Sequence, residues 1–135
     1  MKTGRTKLNK LPSGVWSGEP DLLEFRVFGF ECHAKRHDSM GHLCGYIQVD
    51  ADHPWYGKVY DSVDVEVHGG LTYCTSSGWF GFDCAHAGDL VPRMQDLVDT
   101  DDTYKDMGYV VGELIKLAKQ AKEAERADRP EEPNT

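Results

Sequence analysis

The chain lacks any apolar run long enough to cross a bilayer as a helix, which takes about 20 residues, so the sequence predicts no membrane partner. Its first residues, MKTGRTKLNKLPSG, are basic without an apolar centre and do not read as a secretory signal. A cytoplasmic location is the expectation. It has no Cys-x-x-Cys pair and no finger-type spacing of Cys and His, so no metal and no cofactor are predicted. The phosphate-binding run G-x-x-x-x-G-K-[ST] is missing, and no helix follows Gly69-Gly70, so a nucleotide-binding loop of that kind is excluded. Positive charge is scarce. Lys and Arg number 15 against 23 Asp and Glu, a formal net charge of -8. That argues against general nucleic-acid binding, which needs a basic face. It leaves open a protein that engages a basic surface. Internal repeats and low-complexity domains are also absent.

What is present fits one domain. With 135 residues, 39% of them hydrophobic and 10% aromatic, the chain can bury a core. Four cysteines in a cytosolic protein are expected as reduced thiols. Residues 1–20, polar and basic with Pro12, Gly14, Gly18 and Pro20, read as a flexible basic arm. Residues 21–127 read as the single domain and 128–135 as a disordered tail.

Within the domain, residues 22–35 read as one long strand. Phe25 and Val27 lie on one parity and Phe28 and Phe30 switch it about Gly29, which suggests a bulge. Residues 43–49 form its antiparallel partner. The loop DADHPWYGKVY places Trp55 and Tyr56 either as a lid over a neighbouring pocket or as a cap on the core. Residues 62–67, 71–74 and 79–82 read as three further strands joined by Gly69-Gly70 and by a Ser-Ser-Gly turn. An acidic loop follows, then a helix capped by Thr103. Met107, Val110, Val111, Leu114, Leu117, Ala118 and Ala121 give that helix one apolar stripe. Strands first and one long helix last predict an α+β fold: an antiparallel sheet of about five strands with the C-terminal helix packed on one face. The stripe should meet Phe25, Val27, Ile47 and Val65.

Residues 65–92, VEVHGGLTYCTSSGWFGFDCAHAGDLVP, hold most of the chemistry. His68 lies at the mouth of a hairpin and Asp83, Cys84, His86 and Asp89 lie just past a strand end. Scaffolds tend to present polar groups to ligands at such places. Cys32, His33, His37, His42 and Cys44 are permissible zinc ligands without zinc spacing, and buried structural cysteines are the simpler reading. His68 and His86 could exchange protons near neutral pH with an Asp to orient them, and Cys84 beside them would be a nucleophile, although Cys-Ala-His is no catalytic signature. Aromatics with a few placed polar groups are instead the usual make-up of a binding pocket. The candidate ligand-binding set is His68, Asp83, His86, Asp89, Trp55 and Trp79. His68 and Asp83 are expected about two strand spacings, roughly 10 Å, apart at one sheet edge, with the loop carrying His86 and Asp89 closing the gap about Gly88.

GHLCGY (41–46), HPWYG (53–57), DVEVHGGLTY (64–73) and GFDCAHAGDLVP (81–92), followed by YKDMGYVVGELIKLAKQ, resemble the motif run of a family of small proteins encoded by phages and prophages of bacteria. The resemblance spans residues 28–120. It implies context and transfers no catalytic role: an accessory protein in the host cytoplasm. The expectation is a protein that binds and inhibits or sequesters a host component, for instance one of host defence, without catalysis. Its partner would be a host protein or a small-molecule ligand. The alternative is a small hydrolase-type enzyme using His68, His86 and a nearby Asp.

Overall fold

The computed structural model describes residues 2–4, 11–97 and 101–128. The fold is α+β, one antiparallel sheet with one long helix on one face. Six strands, β1 (Lys2–Gly4), β2 (Leu22–Val27), β3 (Phe30–Arg36), β4 (Leu43–Gln48), β5 (Tyr73–Cys74) and β6 (Trp79–Asp83), lie in the order β1-β2-β3-β4-β6-β5. Every neighbouring pair is antiparallel. The helix α1 spans Met107–Asp128. No helix among the described residues is long and apolar enough to cross a membrane.

The strands differ from the sequence pattern at several points, and the one expected over 71–74 is a strand only at Tyr73–Cys74. The expected long strand over 22–35 is a hairpin of β2 and β3. Phe28 (φ 52) and Gly29 (φ 85) both take positive φ, the mark of a two-residue I′ turn. The parity switch there is the chain reversing direction, and no bulge is needed. Residues 62–67 join no strand of the sheet, although their alternation is real: Val63 and Val67 are buried and Asp64 and Glu66 exposed. Lys2–Gly4 adds an edge strand on β2, inside what the sequence predicts as a loose arm.

The rest of that expected arm is also tied down where it is described. Trp16 is buried and meets Tyr104 edge-on, its indole N–H donating to the Pro12 carbonyl at 2.8 Å. Buried Arg36 donates from Nε to Asp21 Oδ1 at 2.8 Å and from an Nη to the Gly41 carbonyl at 2.9 Å, and it pairs with Glu19 at 3.3 Å. Glu19 in turn accepts from Tyr104 and from the Met107 N–H at 2.7 Å. Residues 5–10 and 129–135 lie outside the described residues, and with them the expected tail over 128–135 except Asp128, which ends α1.

The core lies between α1 and one face of the sheet. Val110, Leu114, Leu117, Ala118 and Ala121 are fully buried, as the stripe predicts. They meet Phe25, Cys32, Ala34, Ile47, Phe80 and Phe82 within one apolar cluster. Gly45 sits beneath Phe82, whose ring lies 2.4 Å from where a Cβ would stand, so the close approach of ring to strand requires glycine there. The helix starts later than its expected Thr103 cap. Thr103 is held extended, its N–H donating to Gly88 and its carbonyl accepting from Leu90, and Asp106 caps instead by accepting from the Tyr109 N–H at 2.8 Å.

Candidate functional site

Residues 63–67 run extended along α1, and side chains of the helix take the place of a partner strand. Gln120 Oε1 accepts from the Glu66 N–H at 2.8 Å and its Nε2 donates to the Glu66 carbonyl at 2.7 Å. Glu113 Oε1 accepts from the His68 N–H at 2.8 Å. Gly69 (φ 68) and Gly70 (φ 77) then turn the chain. Gly69 is required twice, because a Cβ there would also stand 2.2 Å from His86 Cδ2. After β6, the loop over 84–91 folds on itself: the Asp89 N–H donates to the His86 carbonyl at 2.9 Å and Gly88 takes φ 92.

These two loops bring four of the candidate residues together. His68 Nε2 lies 2.8 Å from Asp89 Oδ2, and His68 Nδ1 lies 2.8 Å from the Tyr109 hydroxyl. Asp89 Oδ2 also accepts from the His86 N–H at 3.0 Å, and Lys105 Nζ stands 3.0 Å from Asp89 Oδ1. His86 Nε2 lies 3.2 Å from Asp83 Oδ1, and Asp83 Oδ2 accepts from the Thr72 hydroxyl at 2.9 Å. The His68 and His86 rings meet edge-on with centroids 6.0 Å apart. The site is thus two His–Asp pairs side by side. They meet because the extended segment docks on α1. The route expected from strand order is not the one used, since His68 ends no strand of the sheet.

Charge in this corner follows from burial. The Asp89 side chain is 1% exposed. Burial alone would raise its pKa, but hydrogen bonds from His68, the His86 N–H and Lys105 outweigh burial and hold the carboxyl below its ordinary value. With Asp89 ionised, His68 Nε2 faces a carboxylate acceptor and Nδ1 faces the Tyr109 hydroxyl. Burial and the nearby Glu113 raise the Tyr109 hydroxyl, so it stays protonated and can donate. Both ring nitrogens of His68 and both oxygens of Asp89 are therefore engaged.

The remaining expected residues lie elsewhere. Trp55 is a core residue and no lid. It is 6% exposed and packs edge-on against Phe80 and His53. Its loop is pinned by His53, whose Nε2 reaches the Ala121 carbonyl at 2.8 Å. Trp79 lies on the sheet face away from α1, its ring 4.8 Å from that of His33. Cys84 cannot serve as the nucleophile: it is 1% exposed on the helix side, and burial pushes its thiol far above the ordinary value. Burial likewise raises Cys32 to about 12 and Cys44 to about 11. All four cysteines are free. Cys32, His33, His37, His42 and Cys44 do not come together as a metal-holding group among the described residues. Among the described residues the one group whose ligand atoms come together is Glu24, Glu31 and His33, where Arg26 already pairs with Glu31 at 3.4 Å.

Sequence reasoning missed Lys105, Tyr109 and Thr72. Tyr109 carried a faint signal, as an aromatic off the apolar stripe of a helix. Lys105 and Thr72 carried none. No family model matches this chain, and neither a curated protein nor a solved structure shows significant similarity to it.

Proposed function

We propose that this protein works by binding: a phage-type accessory protein that holds a host component, inhibiting or sequestering it without turning it over. The observation that carries this reading is the closure of the His68–Asp89 pair. A general base needs a free nitrogen within reach of the substrate proton, and His68 has both nitrogens engaged by Asp89 and Tyr109. The Cys84 thiol, the candidate nucleophile, is held protonated by burial. Such a network is suited to fixing a surface in one shape, which lowers the ordering cost of binding. The formal charge of -8 fits a partner that is not a nucleic-acid polyanion.

One observation favours the hydrolytic alternative. His86 is a third exposed and is backed by Asp83, as a base and its orienting carboxylate would be. Assays with p-nitrophenyl acetate and p-nitrophenyl phosphate separate the two readings. Binding alone predicts no turnover above buffer, and native mass spectrometry of protein purified from its host should show a retained mass. Turnover that His86→Ala abolishes would overturn the binding reading.

A further inference from the structure

On the sheet face away from α1, beside Asp83, lies a hollow of about 340 Å3. Its walls are rings. Tyr46 and Tyr73 meet edge-on at 5.4 Å, and His37 stacks on His42 at 4.7 Å with 18° between planes. Tyr46 lies close over β6 because residue 81 is glycine, where a Cβ would stand 2.7 Å from the ring. One wall is therefore fixed in place before any ligand arrives.

Two polar groups give the hollow its chemistry. His42 is 6% exposed, and among the described residues its buried Nδ1 has no hydrogen-bond partner. Burial, with help from His37, lowers its pKa, so the ring is neutral and Nδ1 can donate or accept according to tautomer. A buried nitrogen left unpaired costs free energy that a ligand atom would recover once a small turn of the ring uncovers it. Asp83 is the second group. Thr72, the Ala85 N–H and His86 Nε2 lie 2.9, 3.1 and 3.2 Å from its two oxygens, which leaves open about one of the roughly four acceptor sites of a carboxylate. Among the described residues no Lys or Arg lines this hollow, so they offer an anionic head no counter-charge in it. Lys35 and His33 line an adjoining hollow of about 290 Å3, on the other side of the shared Tyr46 and Tyr73.

We propose, resting on the binding reading above, that the juxtaposition of the Tyr46–Tyr73 wall, the unpartnered His42 and the fixed Asp83 forms a site for the heteroaromatic base of a nucleoside or nucleotide. A flat base stacks on the rings, offers an N–H to Asp83, and has ring nitrogens and carbonyls to pair with His42. The volume lies within the range of small-molecule pockets. A polyanionic strand is disfavoured by the charge of the whole chain. Any sugar-phosphate would extend toward Lys35.

The test is a titration of isotopically labelled protein, followed by NMR and calorimetry, with adenosine, guanosine, cytidine and uridine and with their 5′-monophosphates. At least one base should bind saturably at or below the millimolar range and move the signals of His42, Tyr46 and Tyr73. Tyr73→Ala, at a residue 46% exposed, should leave the fold intact and weaken that binding about tenfold or more, the scale of one lost stacking contact. Asp83→Asn, which keeps the shape, should change which base is preferred. A monophosphate that binds more tightly than its nucleoside, with the gain removed by Lys35→Ala, makes the ligand a nucleotide. Equal affinity makes it the nucleoside. Absence of saturable binding by all eight compounds to folded protein overturns the site but leaves the binding function standing with another ligand. Conversion of a base bound there overturns binding without turnover and leaves the site standing.

Discussion

The two halves of the molecule satisfy their backbones in opposite ways. Where β3 pairs with β4 and β4 with β6, main chain bonds to main chain, and the inward side chains are free to be apolar. Along residues 63–70 and 84–91 there is little ladder, and side chains carry much of that work: Gln120 on Glu66, Glu113 on His68, Asp89 on His86. In the second half the buried Asp89 carboxylate holds the segment together, whereas the paired strands bury mostly carbon, with Arg36 at the end of β3 the charged exception. Buried polar groups are stable only when paired. It follows that the sheet half should fail by cavity formation and the His68 corner by loss of single named bonds or by titration.

The largest effect belongs to the sheet half. Leu114 is fully buried against Gly45 and Phe82. Leu114→Ala should lower the unfolding free energy by about 2–5 kcal/mol in a urea titration. The loss should be the same across the pH range, since no titrating group is touched. A change within roughly 0.5 kcal/mol would mean that α1 does not close the sheet.

Asp89→Asn should cost somewhat less, roughly 1.5–3 kcal/mol near neutral pH, the scale of hydrogen bonds to a charged group. Its pH dependence distinguishes it from Leu114→Ala. The folded carboxyl titrates below its unfolded value. Its contribution is therefore complete above the unfolded pKa and disappears as pH falls through the folded one. The unsubstituted protein should lose stability through the acid range, and Asp89→Asn should flatten that limb. An unchanged acid limb would remove Asp89 from the clamp.

The contrast between the halves also explains what could be read from the residues. Apolar periodicity reports burial. It located α1 from its stripe, and it marked residues 63–67 as extended with one side inward. It could not report what the backbone bonds to, so a segment lying on a helix looked like a strand in a sheet. The β2–β3 reversal was hidden for another reason: Phe28 occupies a positive φ that sequence rules assign to Gly, Asn or Asp. The meeting of His68, Asp83, His86 and Asp89 was accessible because short loops bring the ends of neighbouring segments together. Lys105 and Tyr109 reach the cluster from beyond the acidic loop, and no local pattern connects them to it.

A smaller effect separates two adjacent glycines. Gly69 and Gly70 share the left-handed backbone, so replacing either by Ala should cost about 1–2 kcal/mol. Only Gly69 has a neighbour in the way. A Cβ there meets the His86 ring, while one at Gly70 meets nothing within 4 Å. Gly69→Ala should shift the His86 ring resonances and Gly70→Ala should not. Equal shifts in both would mean that His86 does not rest on the turn.

The smallest effect tests the contrast most directly. Gln120 faces Glu66 as a strand residue would, donating to its carbonyl and accepting from its N–H. Both groups are at the surface, where water can replace a lost partner, so Gln120→Ala should cost only about 0.5–1.5 kcal/mol, near the net value of a single hydrogen bond. Stability alone would hardly distinguish this from an ordinary surface substitution. Amide hydrogen exchange does, because it reads the one N–H concerned. In the unsubstituted protein the Glu66 amide should be protected although it lies outside every strand. Gln120→Ala should remove that protection while leaving the Ile47 and Phe80 amides of the sheet unchanged. Gln120→Glu should keep much of the Glu66 N–H protection, since a carboxylate still accepts, yet lose stability because it cannot donate to the carbonyl. If the Glu66 amide exchanges equally slowly in all three proteins, its partner is not Gln120, and side chains do not replace a strand along this segment.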